Sequence, residues 1–142
     1  NDCIVIAGGP TATNETENKV YLIHLLGWAN DKLKAGDTLM EYVESKNSDF
    51  ANASLRALFP IVVSGIYQID SALIQRLLYS KSLMVKNKTL GLLAFMPQVD
   101  ILNKLKNDDI FYIEKLTKHK NKPLIAIPAK MVITRLPTTR TN

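Results

Sequence analysis

Residues 55–67 read Leu-Arg-Ala-Leu-Phe-Pro-Ile-Val-Val-Ser-Gly-Ile-Tyr and form the longest apolar run of the chain, with a single charge, Arg56. Every other apolar segment is shorter or is interrupted by charged residues. Because folding removes apolar side chains from water, we expect this stretch at the centre of the core. It decides the fold, but a core segment by itself indicates no activity.

Helix and strand compete within this stretch. The β-branched residues Ile61, Val62 and Val63 favour a strand by propensity. The flanking segments have helical periodicity and no alternating partner strand lies nearby, so a buried helix is favoured. Pro60 should kink or restart that helix, because proline lacks the N–H donor and clashes with the preceding turn.

Outward from this stretch, apolar residues recur three and four positions apart, which predicts about seven helices, several of them short. The predicted fold is mainly α, a compact multi-helix bundle. The helices are expected from Glu15 to Lys34, after Asp37, after Ser48 or Asp49, after Asp70, from Leu83 to Met96, around Val99 to Leu105, and after Asp108 or Asp109.

Both ends of the chain are predicted to be extended. Residues 1–14 form an N-terminal arm with a short strand at 3–7, and residues 15–119 form the helical body. Residues 120–142 form an extended C-terminal segment and tail, with short extended segments at 124–127 and 131–134 separated by Pro128-Ala129-Lys130. A chain of 142 residues suits this single domain, which would bury about 70% of its unfolded surface.

Composition excludes several classes of protein. No segment approaches the ~20 apolar residues of a membrane span, and the N-terminus has no basic region typical of a signal peptide. Cys3 is the only cysteine, so no internal disulfide forms. We therefore expect an intracellular protein, in the cytoplasm or nucleus, without membrane contact. Because the first residue is Asn and not Met, the chain is expected to be processed or to be a fragment.

The net charge of +5 is unevenly distributed. Residues 1–70 carry five Lys or Arg and nine Asp or Glu, a net charge of −4, whereas residues 71–142 carry thirteen and four, a net charge of +9. Such a split favours a basic surface for nucleic acid or another polyanion. It equally favours head-to-tail self-association, in which the acidic half of one copy meets the basic half of the next. An ordinary solvated surface is the third interpretation.

The basic residues of the second half are the strongest functional feature. Lysine supplies a point charge and not the bidentate fork used to read bases, so contacts to phosphate with little sequence preference are expected. Tyr79, Tyr112 and Phe111 could stack on bases, although Phe111 is expected in the core. The candidate binding residues are Lys81, Lys86, Lys88, Lys104, Lys106, Lys115, Lys118, Lys120, Lys122 and Arg135.

Signals for enzymatic chemistry are weak. Gly8-Gly9-Pro10 could form a phosphate-binding turn, but Pro10 removes a donor and no Gly-Lys-Ser/Thr follows. With one cysteine and two distant histidines, His24 and His119, no metal site or cofactor is predicted. The nearest carboxylate pairs are Glu41 with Glu44, expected on an exposed helix, and Asp108 with Asp109, expected at a helix cap. No catalytic residue is assigned.

Three functions remain open. The first is a non-enzymatic, sequence-independent nucleic-acid-binding or nucleocapsid-like structural domain, whose partner would be RNA or a single strand. The second is a helical module for protein interaction or self-assembly, which binds an acidic protein surface or forms a homo-oligomer without nucleic acid. The third is a fragment of a larger enzyme with an anion site near Gly8 and Gly9. The sequence does not show whether the lysines converge on one face.

Overall fold

The computed structural model describes residues 12–137, which fold into eight α-helices without any strand in that range. The mainly α prediction is confirmed. The predicted N-terminal arm, with Gly8, Gly9 and Cys3, lies outside the described residues. The helices are α1 Ala12–Leu26, α2 Lys32–Met40, α3 Ser48–Val63, α4 Ser71–Leu78, α5 Leu83–Phe95, α6 Gln98–Lys104, α7 Asn107–Leu116 and α8 Pro123–Thr134.

Helix α3 contains residues 55–63 of the apolar stretch and continues through Pro60 to Val63, so the helix favoured for residues 61–63 is confirmed. The side chain of Asn47 caps its start by accepting from the N–H groups of Asp49 and Phe50 at 2.9 and 3.3 Å. Gly65, with φ of 82°, turns the chain after its end, in a conformation that favours glycine. Residues of α3 are buried along most of its length, which places it in the core as expected.

The first predicted helix is divided in two. Residues 27–31 separate α1 from α2, and Asp31 caps α2 by accepting from the N–H of Lys34 at 3.0 Å. Asp37, predicted as the cap, lies inside α2 and accepts instead from the Tyr67 hydroxyl at 2.7 Å. A cap needs extended backbone before the first turn, and Asp31 has that conformation.

The extended C-terminal segment is wrong for residues 123–134, which form helix α8. Pro123 occupies the first turn of α8, where its missing N–H costs nothing. Ile125, Ala129 and Val132 are buried at helical spacing, and α8 packs against α5 and α7. This burial outweighs the helix-breaking tendency of Pro128 and the β-branched residues, so the helical body extends beyond residue 119.

Helices α1, α3, α5 and α8 lie side by side in that order, each packed against the next. The first turns of α3, α5 and α8 lie at a common end, and α1 begins before that end. Residues 16–24 of α1 and 49–53 of α3 line one depression, and Gly27, just after α1, lies beside Ala57 of α3. Residues 48–51 of α3 and 82–85 at the start of α5 line another depression. Their later turns also meet, since the rings of Phe59 and Phe95 stack edge to face at 5.8 Å. The four helices therefore run parallel in one layer.

Helices α2, α4 and α7 return the chain towards the start of the next helix of this layer. The layer helices begin at residues 12, 48, 83 and 123, so successive starts are 36, 35 and 40 residues apart. This arrangement of helix and return helix is typical of stacked helical repeats, in which each unit packs mainly against its neighbours. No sequence motif recurs with this period, so the repeat is one of architecture.

Candidate functional site

The candidate site lies where α5 and α8 begin and α7 ends. The Asn87 side chain donates a hydrogen bond from Nδ2 to the Leu124 carbonyl, which joins the first turns of α5 and α8. The six residues 117–122 connect the end of α7 to the start of α8 at the same place. We call this end of the stack, with the lysines that it carries, the basic end.

Seven of the ten predicted binding residues lie at the basic end. Lys81 precedes α5, Lys86 and Lys88 lie in its first turns, and Lys115 lies in the last turn of α7. The other three occupy the connection from α7 to α8. All except the half-buried Lys86 and Lys88 are exposed. The residues of the basic end are Lys81, Lys86, Lys88, Lys115, Lys118, Lys120 and Lys122.

The remaining three predicted residues lie elsewhere. Lys104 ends α6, and Lys106 immediately precedes α7. Helix α7 has ten residues and is therefore about 15 Å long, and only its far end reaches the basic end. Arg135 follows the end of α8, where its guanidinium donates to the carbonyl oxygens of Ala94, at 2.9 Å, and Met96. Arg135 thus ties α8 to the end of α5, far from the lysines, and its role is structural.

Tyr112 contacts Lys86 at the basic end, and Tyr79 packs against Tyr112. Lys86 donates to the Tyr112 hydroxyl, and its Nζ lies 5.0 Å from the centre of the Tyr112 ring. The rings of Tyr112 and Tyr79 are 4.4 Å apart, and the Tyr79 hydroxyl donates to Asp109 at 3.0 Å. Burial, followed by the hydrogen bond to Asp109, raises the pKa of Tyr79 to about 12. Tyr112 is half-buried and Tyr79 is 45% exposed, and one face of each ring is turned to the other ring, which limits their availability for base stacking.

Helix dipoles add to the positive potential of the basic end. The first turns of α5 and α8 contain no acidic residue, whereas those of α1 and α3 contain Glu15 and Asp49. A helix N-terminus carries about half a positive charge, so lysines around two such ends repel both the dipoles and one another. Glu114 is the only carboxylate between residues 110 and 142. An anion at this end would relieve that repulsion.

The structure corrects the expected position of Phe111, whose side chain is 64% exposed. Residues 109, 113 and 116 of α7 face the core, and Phe111 lies on the opposite side of that helix. An aromatic ring in solvent, one turn before Lys115, is a better candidate for base stacking than either tyrosine. The sequence predicts the exposure of Phe111 once the core-facing residues of α7 are known, because helical spacing places Phe111 opposite them.

One carboxylate of each predicted pair has structural partners. Asp109 is buried and accepts from the Lys106 N–H, the Tyr79 hydroxyl and the Gln75 amide at 2.9, 3.0 and 3.2 Å. The predicted helix start after Asp108 or Asp109 is wrong, because α7 begins at Asn107 with Lys106 as N-cap. Asp109 lies in the first turn and accepts from the N–H of Lys106. Glu44 receives two hydrogen bonds from the guanidinium of Arg76, at 2.9 and 3.1 Å, which lower its pKa. An ionised, paired Glu44 is a poor general acid.

The histidines are far apart. His24 is half-buried between α1 and α3, near Asp49 and Asn52, and His119 is exposed in the α7–α8 connection. Across residues 12–137, no three His, Cys, Asp or Glu side chains are grouped so as to hold a metal ion. Within the same range, every helix is too short or too polar to cross a bilayer.

No protein-family model, curated protein or solved structure matches this chain.

Proposed function

We propose that the protein is a non-enzymatic, sequence-independent nucleic-acid-binding domain that contacts the phosphate backbone of RNA or a single strand through the basic end. The position of seven lysines in or beside the first turns of α5 and α8 and the last turn of α7 supports this proposal. Phosphate backbones bind surfaces on which several cations converge, because each neutralised phosphate releases counterions.

The chemistry of the basic end favours phosphate contact over base reading. All seven cations are lysines, which bind phosphate as point charges and do not supply a planar fork for a base edge. No arginine belongs to the cluster. The exposed ring of Phe111 offers one stacking surface, which tolerates any base. We therefore expect binding that depends strongly on salt and weakly on sequence.

Fluorescence anisotropy with a labelled single-stranded oligonucleotide tests the proposal at low and moderate salt. The variant carries Lys118→Glu, Lys120→Glu and Lys122→Glu, three exposed positions in the α7–α8 connection. We expect its dissociation constant to rise by at least about a hundredfold, because three phosphate contacts become repulsions.

A matched control carries Lys34→Glu, Arg56→Glu and Lys104→Glu, which changes the net charge equally at three positions outside the basic end. The control should bind within about fivefold of the wild type, since surface charges beyond a Debye length of ~10 Å are screened. Equal losses in the two variants would mean that only net charge matters, and absence of binding by the wild type would reject the proposal.

A further inference from the structure

The outer face of α1 is apolar where a folded protein in water would be expected to present polar residues. Tyr21, Leu22 and Leu25 are 64%, 57% and 44% exposed, and Trp28, just after the helix, is 82% exposed. They recur three and four residues apart on the side opposite Ile23, which is buried. A groove of about 350 Å³ between α1 and α2 continues this face.

The outer face of α8 has the same character. Leu124, Ile127 and Met131 are 73%, 58% and 37% exposed and recur three and four residues apart. They lie opposite Ile125 and Val132, which are buried where α8 packs against α5 and α7. The two outer helices of the layer therefore both present an apolar stripe to solvent.

The position of these two faces makes them complementary. They lie on opposite sides of one layer of parallel helices, in the order α1, α3, α5 and α8. A second copy can place its α1 against α8 of the first, parallel to it, as α8 itself lies against α5. Such a contact joins two different surfaces, so it is heterologous and can be repeated from copy to copy. Stacked helical repeats require terminal units with polar outer faces, and here both outer faces are apolar.

Charge favours the same pairing. The first turns of α5 and α8 lie at a common end, as the contact of Asn87 with Leu124 illustrates. In a continued layer, the exposed Glu15 and Glu17 in the early turns of α1 would lie at the end that carries Lys120 and Lys122. A parallel α1–α1 contact would bring acidic turns together, and a parallel α8–α8 contact would bring lysines together, so charge disfavours both.

We infer that copies of this chain associate head to tail, with the apolar outer face of α1 in one copy packed against the apolar outer face of α8 in the next. The occupant of each face is thus a second copy of this chain. The contact continues the helix layer and leaves the second face of each end copy open for further growth or ring closure. It does not depend on nucleic acid.

Sedimentation velocity of the full chain over a wide range of concentration, after nuclease treatment, tests the inference. The wild type should increase in mass with concentration above the 15.9 kDa of one chain. Leu25→Glu on α1 and Ile127→Glu on α8 should each weaken self-association at least about tenfold, because each buries a charge in one half of the contact. Val99→Glu, at a 62% exposed position on α6, is the matched control and should behave as the wild type.

Mixing the two variants distinguishes the head-to-tail contact from symmetric pairing. Leu25→Glu retains an intact α8 face and Ile127→Glu retains an intact α1 face, so an equal mixture should form a complex of two chains that grows no further. Symmetric α1–α1 or α8–α8 pairing would instead leave one variant fully associated by itself, and this outcome would overturn the inference.

A wild type that stays monomeric at every concentration would also overturn the inference. If removal of residues 1–11 then permitted association, that segment would be the occupant of the α1 face, and the inference would still be wrong. Circular dichroism checks that the variants fold, and Leu22→Ser with Leu124→Ser is a milder second pair. These substitutions leave all seven lysines of the basic end in place, so failure of self-association and failure of nucleic-acid binding are distinguishable.

Discussion

The inner helices α3 and α5 differ from the outer helices α1 and α8 in what covers them. Each inner helix has a layer neighbour on both sides and return helices behind. The exposed positions inside α3 are Arg56 and Pro60, and no residue from 84 to 94 in α5 is exposed. Each outer helix has a layer neighbour on one side only, yet carries apolar side chains on both sides. The buried apolar residues of an inner helix stabilise the fold, whereas the exposed apolar residues of an outer helix are available for a contact with another molecule.

The largest expected difference in the free energy of unfolding is between Leu-to-Ala substitutions in an inner and in an outer helix. Leu58→Ala in α3 removes a side chain that is 0% exposed and should cost about 3 kcal/mol of the free energy of unfolding, because it leaves a cavity. Leu25→Ala in α1, at 44% exposure, should cost below about 1 kcal/mol. Urea denaturation at a concentration where the chain is monomeric measures both. Equal costs would mean that the outer face of α1 is covered within one chain.

Removal of Asp109 should have the next largest effect, because three donors from α4 and the α6–α7 connection lose their buried acceptor. Asp109→Ala should cost about 2–3 kcal/mol, whereas the exposed Asp108→Ala should be nearly neutral. The pKa of Tyr79, about 12 in the wild type, should also fall in Asp109→Ala, since the hydrogen bond and the negative charge that help to raise it are gone. Absorbance titration of tyrosine measures this shift, and an unchanged pKa would contradict the role of Asp109.

The sign of the Tyr79 effect on stability follows from its raised pKa. The folded state holds the phenolic proton more tightly than the unfolded state, whose ordinary pKa is 10.0. Its contribution to stability is therefore fully present below pH 10 and is lost as the pH rises towards about 12. Unfolding measured across this range should show a steeper decline for the wild type than for Tyr79→Phe.

Helix caps should have a smaller effect that again differs between the two regions. The inner helix α3 is capped by the side chain of Asn47, whereas the outer helix α8 has Lys122 at this position and no side-chain hydrogen bond. Asn47→Ala should cost about 1 kcal/mol and Lys122→Ala close to none. Thermal unfolding of the two variants compares these costs, and a large loss on Lys122→Ala would contradict the assignment of that lysine to binding.

The smallest expected effect belongs to the ion pair of Glu44 and Arg76. The guanidinium of Arg76 lowers the pKa of Glu44 from its usual 4.5, so the folded state favours the ionised form. The stabilisation is present above the unfolded pKa and is lost as the pH falls through the lower folded pKa. Glu44→Gln should therefore differ slightly from the wild type at neutral pH and not at strongly acidic pH. An exposed pair of this kind is also expected to weaken with salt.

The sequence predicted the inner region better than the outer one. The helix over residues 61–63 and the cap at residue 70 have local causes, and the structure confirms them as the end of α3 and as the N-cap of α4. Helix α8 was missed because Pro128 and its β-branched neighbours favour extended backbone locally. Packing against α5 and α7 stabilises the helix instead, and these contacts cannot be predicted from local sequence.

The basic end could be predicted only in part, for the same reason. The lysines are visible in the sequence, but their convergence depends on α5 and α8 being parallel, which periodicity does not determine. Lys104 and Arg135 look equivalent to the others in sequence and lie elsewhere in the fold. The exposure of Phe111 depends on which face of α7 is turned to the core. The sequence does not determine this face, because apolar residues lie on two faces of the helix.

The slope of the logarithm of the binding constant for single-stranded nucleic acid against the logarithm of salt concentration tests the proposed function of the basic end most directly. Neutralising Lys118, Lys120 and Lys122 to Gln should lower its magnitude by about 2, since each phosphate contact to a single strand contributes about 0.7. The same change at Lys34, Arg56 and Lys104 should leave it unaltered. A slope that stays the same in the first variant, or falls equally in both, would contradict a phosphate-binding surface at this end of the stack.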